Sequence, residues 1–251
     1  QNGFKWDANP YLPTDESNEW GAFYNQLYDY NLVAAGVMSS ERGTDEKKKE
    51  LLAEAKACRA FNHFIVANLF GQPYNVNTAT TDLSVPIVVN ADVNASDFKR
   101  ATVKELYDFV INELTQAIPD LQPKVYSRVR MSRPAAQYML GMVYFQMGNY
   151  ATALTFLNEA KAGLTGGPLP VKVYNYNTTM TAAAPTGWFT TTQPWRGASG
   201  YPLLYNSDEN IFLRQLSVNS TINRNCLFLK PAILALFATT DHRRKMFLDK
   251  N

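Results

Sequence analysis

Cysteine and histidine are scarce in this chain of 251 residues, with two of each. Cys58 and Cys226 permit at most one disulfide, and neither stands in a metal-ligand spacing. Cys58 shares a helical stripe with Leu51, Ala55 and Ile65, which reads as a buried, inert thiol. His63 falls inside a helical segment, at a packing boundary on this reading, and His242 beside Asp241 reads as a surface residue. Neither belongs to a nucleophile or metal motif. A phosphate cradle is missing too: Gly166–Gly167 is followed by Pro168, which lacks the N–H such a cradle uses. Asp208 and Glu209 are adjacent, so on a strand they point to opposite faces and cannot flank one glycosidic bond as a pair. These absences name no catalytic residue, and no cofactor or metal is expected.

An excess of charge of one sign is also lacking. Lys and Arg number 24 against 22 Asp and Glu, a net charge of +2. The basic clusters Arg128/Arg130/Arg133 and Arg243/Arg244/Lys245 are short and read as solvated surface, which argues against nucleic acid as a partner. No apolar run approaches the roughly 18 residues of a membrane span, and no signal-peptide pattern is present. The chain opens at Gln1 in loop-like sequence and stops at Asn251 after an apparent helix, as expected of a piece of something longer.

What is present is helical periodicity over a large apolar content, 46%, enough for a sizeable core. The clearest stretch is Ser132 to Leu164, SRPAAQYMLGMVYFQMGNYATALTFLNEAKAGL. Leu140, Gly141, Tyr144, Gly148, Tyr150, Ala153 and Ala160 fall at the spacing of one tetratricopeptide helix-turn-helix, with Leu157 where that repeat usually has an aromatic. Gly141 lets two helices approach closely, Tyr144 fills the space between them, and Gly148 ends the first helix. Ala153 faces the first helix, and Ser132 is expected to cap it, with Pro134 in the first turn. One such pair cannot bury its own apolar face, so it must pack on other helices.

Those other helices are readable. Ser17 to Val37 repeats Trp20, Tyr24, Leu27 or Tyr28, Asn31 and Ala35 at intervals of three and four, and Trp20 on such a stripe reads as core. After the mixed charges of 41–50, Lys47 to Phe70 carries Leu51, Leu52, Ala55, Cys58, Ile65, Val66 and Leu69, closed by Gly71 and Pro73. A long connection, Gln72 to Arg100, holds one strand-like run at Val85–Val89. Thr102 and Glu105 form a capping box for a helix repeating Leu106, Val110, Leu114 and Ala117 until Pro119. Residues 1–16 read as loop, 165–205 as a long Gly- and Pro-rich loop, Asn210–Leu216 as a strand and Pro231–Ala238 as a short helix.

Several segments together resemble the SusD/RagB family of bacterial outer-membrane nutrient-binding lipoproteins. They are WGAFYNQLYDYNLV (20–33), LLAEAKACRAFNHFIVANLFGQPYN (51–75), DLSVPIVV (82–89), FKRATVKELYDFVINEL (98–114), the pair at 132–164, SDENIFLRQ (207–215) and LKPAILALFATTDHRRKMF (229–247). The resemblance implies a mainly α fold, with tetratricopeptide-like helix pairs in an α-α superhelix, long irregular loops and minor β. It also implies a single domain over 1–251, with a helical scaffold at 17–164 and a loop-rich, ligand-facing portion at 165–251. Members of the family are held on the cell surface of the outer membrane by a lipidated cysteine, lie as a lid on a TonB-dependent (SusC-like) transporter, and capture glycans for import. This chain lacks the lipidated N-terminus and much of the C-terminal half, so truncation at both ends and an incomplete binding surface are expected.

Sugar rings present a face of C–H groups and a rim of hydroxyls, so a site needs flat aromatic platforms with polar groups at their edges. Residues 186–201, TGWFTTTQPWRGASGY, have that composition, with Trp188, Trp195 and Tyr201 as platforms and Gln193 and Arg196 as edge groups. Lys5, Trp6, Asp7 and Tyr11 form a smaller version. The alternative is that these rings pin their loops onto the scaffold. A tetratricopeptide scaffold that binds a protein or peptide is the competing function, with a glycoside hydrolase a third; the long insertions at 72–100 and 165–205 count against the scaffold as a complete description.

Overall fold

The computed structural model describes residues 18–175, 207–213, 235, 236 and 238. Among these residues five helices carry the fold: α1 (Asn18–Gly36), α2 (Asp45–Phe70), α3 (Val103–Ala117), α4 (Arg133–Gln146) and α5 (Tyr150–Gly163). Single 3-10 turns at Val37–Ser39 and Ile118–Asp120 follow α1 and α3. The strand-like run at Val85–Val89 joins no sheet among the described residues. The chain there pairs with the start of α3 at one antiparallel bridge, Leu83 with Thr102, where the Ser84 N–H reaches the Ala101 carbonyl (2.8 Å) and the Ala101 N–H reaches that of Val85 (3.2 Å).

Helix boundaries follow from local chemistry. α2 starts at Asp45, ahead of the expected Lys47, because Thr44 accepts the Lys47 N–H at 3.3 Å and Asp45 and Glu46 complement the helix dipole. Both halves of the expected capping box are present at α3, the Glu105 carboxylate taking the Thr102 N–H at 2.8 Å. In the α4–α5 pair Gly148 holds a φ of 77°, the left-handed turn that only glycine adopts freely. A Cβ on Gly141 would stand 2.8 Å from Leu157 Cγ and 3.2 Å from the Ala153 carbonyl oxygen, so the two helices touch at that residue. Tyr144 stacks on Phe156 at 5.7 Å between ring centroids. Ser132 departs from expectation. It occupies the N-cap position, yet its hydroxyl is buried without a partner among the described residues and caps nothing. Arg133 secures this turn instead, its guanidinium donating to the carbonyls of Ile118 (3.0 Å), Pro119 (2.7 Å) and Leu121 (3.3 Å).

Side-chain pairings fix the helix directions. Asn62 meets Phe23 and Gln26 while Arg59 meets Asn31, so α2 runs antiparallel to α1. Phe64 packs on Tyr107, Arg59 on Glu113 and Lys56 on Gln116, which sets α3 antiparallel to α2. Tyr107 reaches Gln146 while Arg133 reaches Ile118, which sets α4 antiparallel to α3. The common core holds Val66, Val103, Leu106, Val110, Leu114, Ala136 and Leu140, all buried. Its assembly from residues three and four apart on each helix is the amphipathic pattern seen in the sequence. Of the stripe residues, Leu69 and Ala35 are exposed near the ends of their helices.

The Arg128/Arg130/Arg133 cluster is not solvated surface. Arg128 is buried and donates to the Pro170 carbonyl (2.6 Å) and to Asp208 (2.9 Å), while Arg130 makes a two-pronged ion pair with Glu54 of α2. Asp208 and Glu209 form a turn here and not a strand. The Asp208 N–H donates to the Tyr174 hydroxyl at 2.7 Å, and Glu209 accepts the Tyr174 N–H at 2.8 Å. The Asp208 backbone and the Glu209 carboxylate thereby hold the 170–175 segment, while the Asp208 carboxylate ties the turn to Arg128. Residues 214–216 of the expected strand, and most of the expected Pro231–Ala238 helix, lie outside the described residues.

Candidate functional site

Trp6, Asp7, Trp188, Trp195, Arg196 and Tyr201, the side chains expected to meet ligand, all lie outside the described residues, as do Lys5, Tyr11, Gln193, Cys226 and His242. What the scaffold itself offers is a cavity of about 260 Å³ between α1 and the 86–98 stretch of the long connection. Trp20, Tyr24 and Tyr28 line it from α1 at intervals of four, one face of the helix. Opposite them stand Pro86, Val88, Asn90, Asp92 and Phe98. Trp20 does belong to the core edge, as its position on the stripe suggests: its ring lies 4.8 Å from Tyr24 and meets Phe70 edge-on at 5.1 Å. It also lines the cavity, a second role the periodicity did not show.

The wall facing those rings is held residue by residue. Tyr24 donates its hydroxyl to the Pro86 carbonyl at 2.9 Å, and burial pushes that phenol well above its ordinary range. Asn31, buried on α1, donates to the carbonyls of Val88 (3.0 Å) and Asn90 (3.3 Å). His63 on α2 accepts the Val88 N–H on Nε2 at 3.0 Å. Its Nδ1 lies 2.9 Å from the Arg59 carbonyl, which makes Nδ1 the protonated nitrogen of a neutral ring.

His63 is therefore not at a packing boundary. It is fully buried, packs edge-on against Phe109, and its pKa is lowered to about 4, chiefly by burial and further by the Arg59 charge. Arg59 completes the network by donating to Asn31 Oδ1 at 3.0 Å and pairing with Glu113 of α3. An Asn, a His, an Arg and a Glu spread over three helices thus shape one loop. Only the identity of Asn31 as a polar residue on an apolar stripe hinted at this in the sequence.

Chemically the cavity suits contact with a ligand. Its rings offer apolar faces, Tyr28 and Phe98 being 37% and 52% exposed. Its polar edge is Asn90 and Asp92, and one Asp92 oxygen already accepts the Asn94 N–H at 2.9 Å. Among the described residues no group of three His, Cys, Asp or Glu side chains is placed to hold a metal.

Comparison with known proteins agrees with this architecture. The SusD-like family described as "Starch-binding associating with outer membrane" matches residues 3–145. The chain belongs to the SusD-like family. It is 24% identical to SusD-like protein P2 of Formosa agariphila over 71% of this chain and 35% of that protein. A putative sugar binding protein from Bacteroides vulgatus shares 28% identity, with a TM-score of 0.56 over 62% of this chain and 35% of that one. A SusD superfamily protein from Bacteroides thetaiotaomicron shares 23% identity at the same TM-score of 0.56, covering 63% of this chain and 34% of its own. The chain thus spans about a third of the length of these relatives. The mainly helical fold with its paired helices is that of the family. No described helix of this SusD-like chain is long and apolar enough to cross a membrane.

Proposed function

We propose that this chain is part of a cell-surface glycan-capture protein that binds oligosaccharides without cleaving them and delivers them to a TonB-dependent, SusC-like transporter. The match of residues 3–145 to a starch-binding, outer-membrane-associated family carries this reading. The sugar-binding relative at 28% identity supports it. In the full-length protein a lipidated cysteine holds the molecule on the outer membrane. Residues 1–251 act as one domain, the helices of 17–164 presenting the loop-rich 165–251 portion to ligand. Trp188, Trp195 and Tyr201 supply stacking platforms, with Arg196 at their edges, and Trp6 and Asp7 add a second contact.

Isothermal titration of the folded chain against neutral and acidic oligosaccharides tests the reading. Saturable binding is expected, and replacing Trp188 and Trp195 together by Ala should abolish or strongly weaken it. Unchanged affinity in a folded double variant would remove those two residues from the site. The peptide-binding alternative rests on the α4–α5 pair, where Phe145, Tyr150 and Leu154 are exposed. A protein partner pulled down without any glycan affinity would favour it.

A further inference from the structure

We infer that the cavity between α1 and residues 86–98 is a binding subsite for a single neutral sugar ring, separate from the aromatic loops proposed above; the inference rests on the glycan-binding reading. Size, shape and chemistry converge on that occupant. A volume of about 260 Å³ admits one pyranose with its hydration and excludes a folded peptide segment. Tyr28 from α1 and Phe98 from the connection line the cavity and are both exposed, which leaves aromatic surface for the C–H face of a sugar to stack against. Asn90 and Asp92 are the polar side chains among the described lining residues, able to meet ring hydroxyls. The second Asp92 oxygen accepts no bond among the described residues and takes a hydroxyl proton in a charge-assisted bond.

The wall is also built ahead of any ligand. Pro86, Val88 and Asn90 each have a backbone group tied by a side chain of α1 or α2. Little conformational freedom is therefore lost when the ring enters. Among the described lining residues Asp92 is the one carboxylate and none is basic. An anionic sugar would bring like charge against it, so the subsite selects neutral units over uronates and sulfated units.

The test is calorimetry of the folded chain on a panel of neutral gluco-, galacto- and manno-oligosaccharides and of uronate and sulfated oligosaccharides. Neutral binding is expected. Tyr28→Ala and Phe98→Ala should each weaken it roughly ten-fold, Tyr28→Phe should leave it within about two-fold because the ring is retained, and Asp92→Asn should narrow the margin against uronates. Tyr28, Asp92 and Phe98 are exposed, so the variants fold, which circular dichroism checks. Neutral binding that ignores both Tyr28→Ala and Phe98→Ala would overturn the subsite and leave the glycan-capture reading standing. A preference for anionic oligosaccharides would overturn it as well, and no binding anywhere on the panel would sink both.

Discussion

At the scale of single residues, two glycines and a histidine carry the sharpest tests. Gly141 sits where α4 and α5 touch, so Gly141→Ala gains helix propensity yet must displace Leu157, and destabilisation of about 1–3 kcal/mol is expected in urea unfolding. Gly148→Ala forces a side chain into a φ of 77° and should cost about 1 kcal/mol by the same measurement. Both glycines were legible from repeat spacing, because a turn and a close approach each demand a residue without Cβ. His63 was not. Nothing in its neighbours along the chain announces that its partner is the Val88 N–H, 25 residues away.

Its sign with pH is definite. With a folded pKa of about 4 against an ordinary 6.5, the unfolded chain takes up the proton first. The stability this ring contributes is complete above about pH 6.5, falls as pH drops through the window, and has lost its full amount, about 3 kcal/mol, near pH 4. His63→Gln, which keeps an acceptor and does not titrate, should flatten that part of a Tm-versus-pH curve relative to the native chain. Parallel curves would contradict the assignment.

Elements are held to one another by a few buried polar ties, and these decide what happens when one is cut. Arg59 of α2 and Glu113 of α3 are both nearly excluded from water. Glu113→Ala leaves a buried guanidinium without its partner and should cost about 3–5 kcal/mol, with loss of order in the 86–90 wall that Arg59 and Asn31 support. Chemical denaturation gives the first, and amide exchange at Val88 and Asn90 the second. Arg128→Ala should free the 170–175 and 207–210 segments from the scaffold while the five helices persist, visible as faster exchange confined to those segments. The helices themselves were legible because period, caps and Pro/Gly stops act within one turn. The ties were not, since Arg128 and Asp208 lie 80 residues apart, and a basic cluster reads as surface until the carboxylate and carbonyls that neutralise it are seen. For the same reason the strand expected at Asn210–Leu216 is not formed at 210–213, where the chain follows a turn at Asp208–Glu209 whose backbone is claimed by Tyr174.

On the scale of the whole molecule, a row of antiparallel helices holds a long, well-pinned connection against α1, and the family match places that arrangement in the SusD-like family. Helical architecture and family were legible in the ordered succession of segments from 20 to 164. The aromatic cavity was hidden because its two walls come from segments about 60 residues apart, Tyr24 against Pro86, and periodicity reports only which face of α1 is apolar. The central claim is capture without cleavage. Its most direct measurement is to titrate the folded chain with an oligosaccharide from the panel that binds, then recover the ligand after prolonged incubation and examine its length by mass spectrometry. Saturable binding with every chain returned intact is the predicted result; shortened products appearing in proportion to protein, or no binding to any glycan, would contradict it.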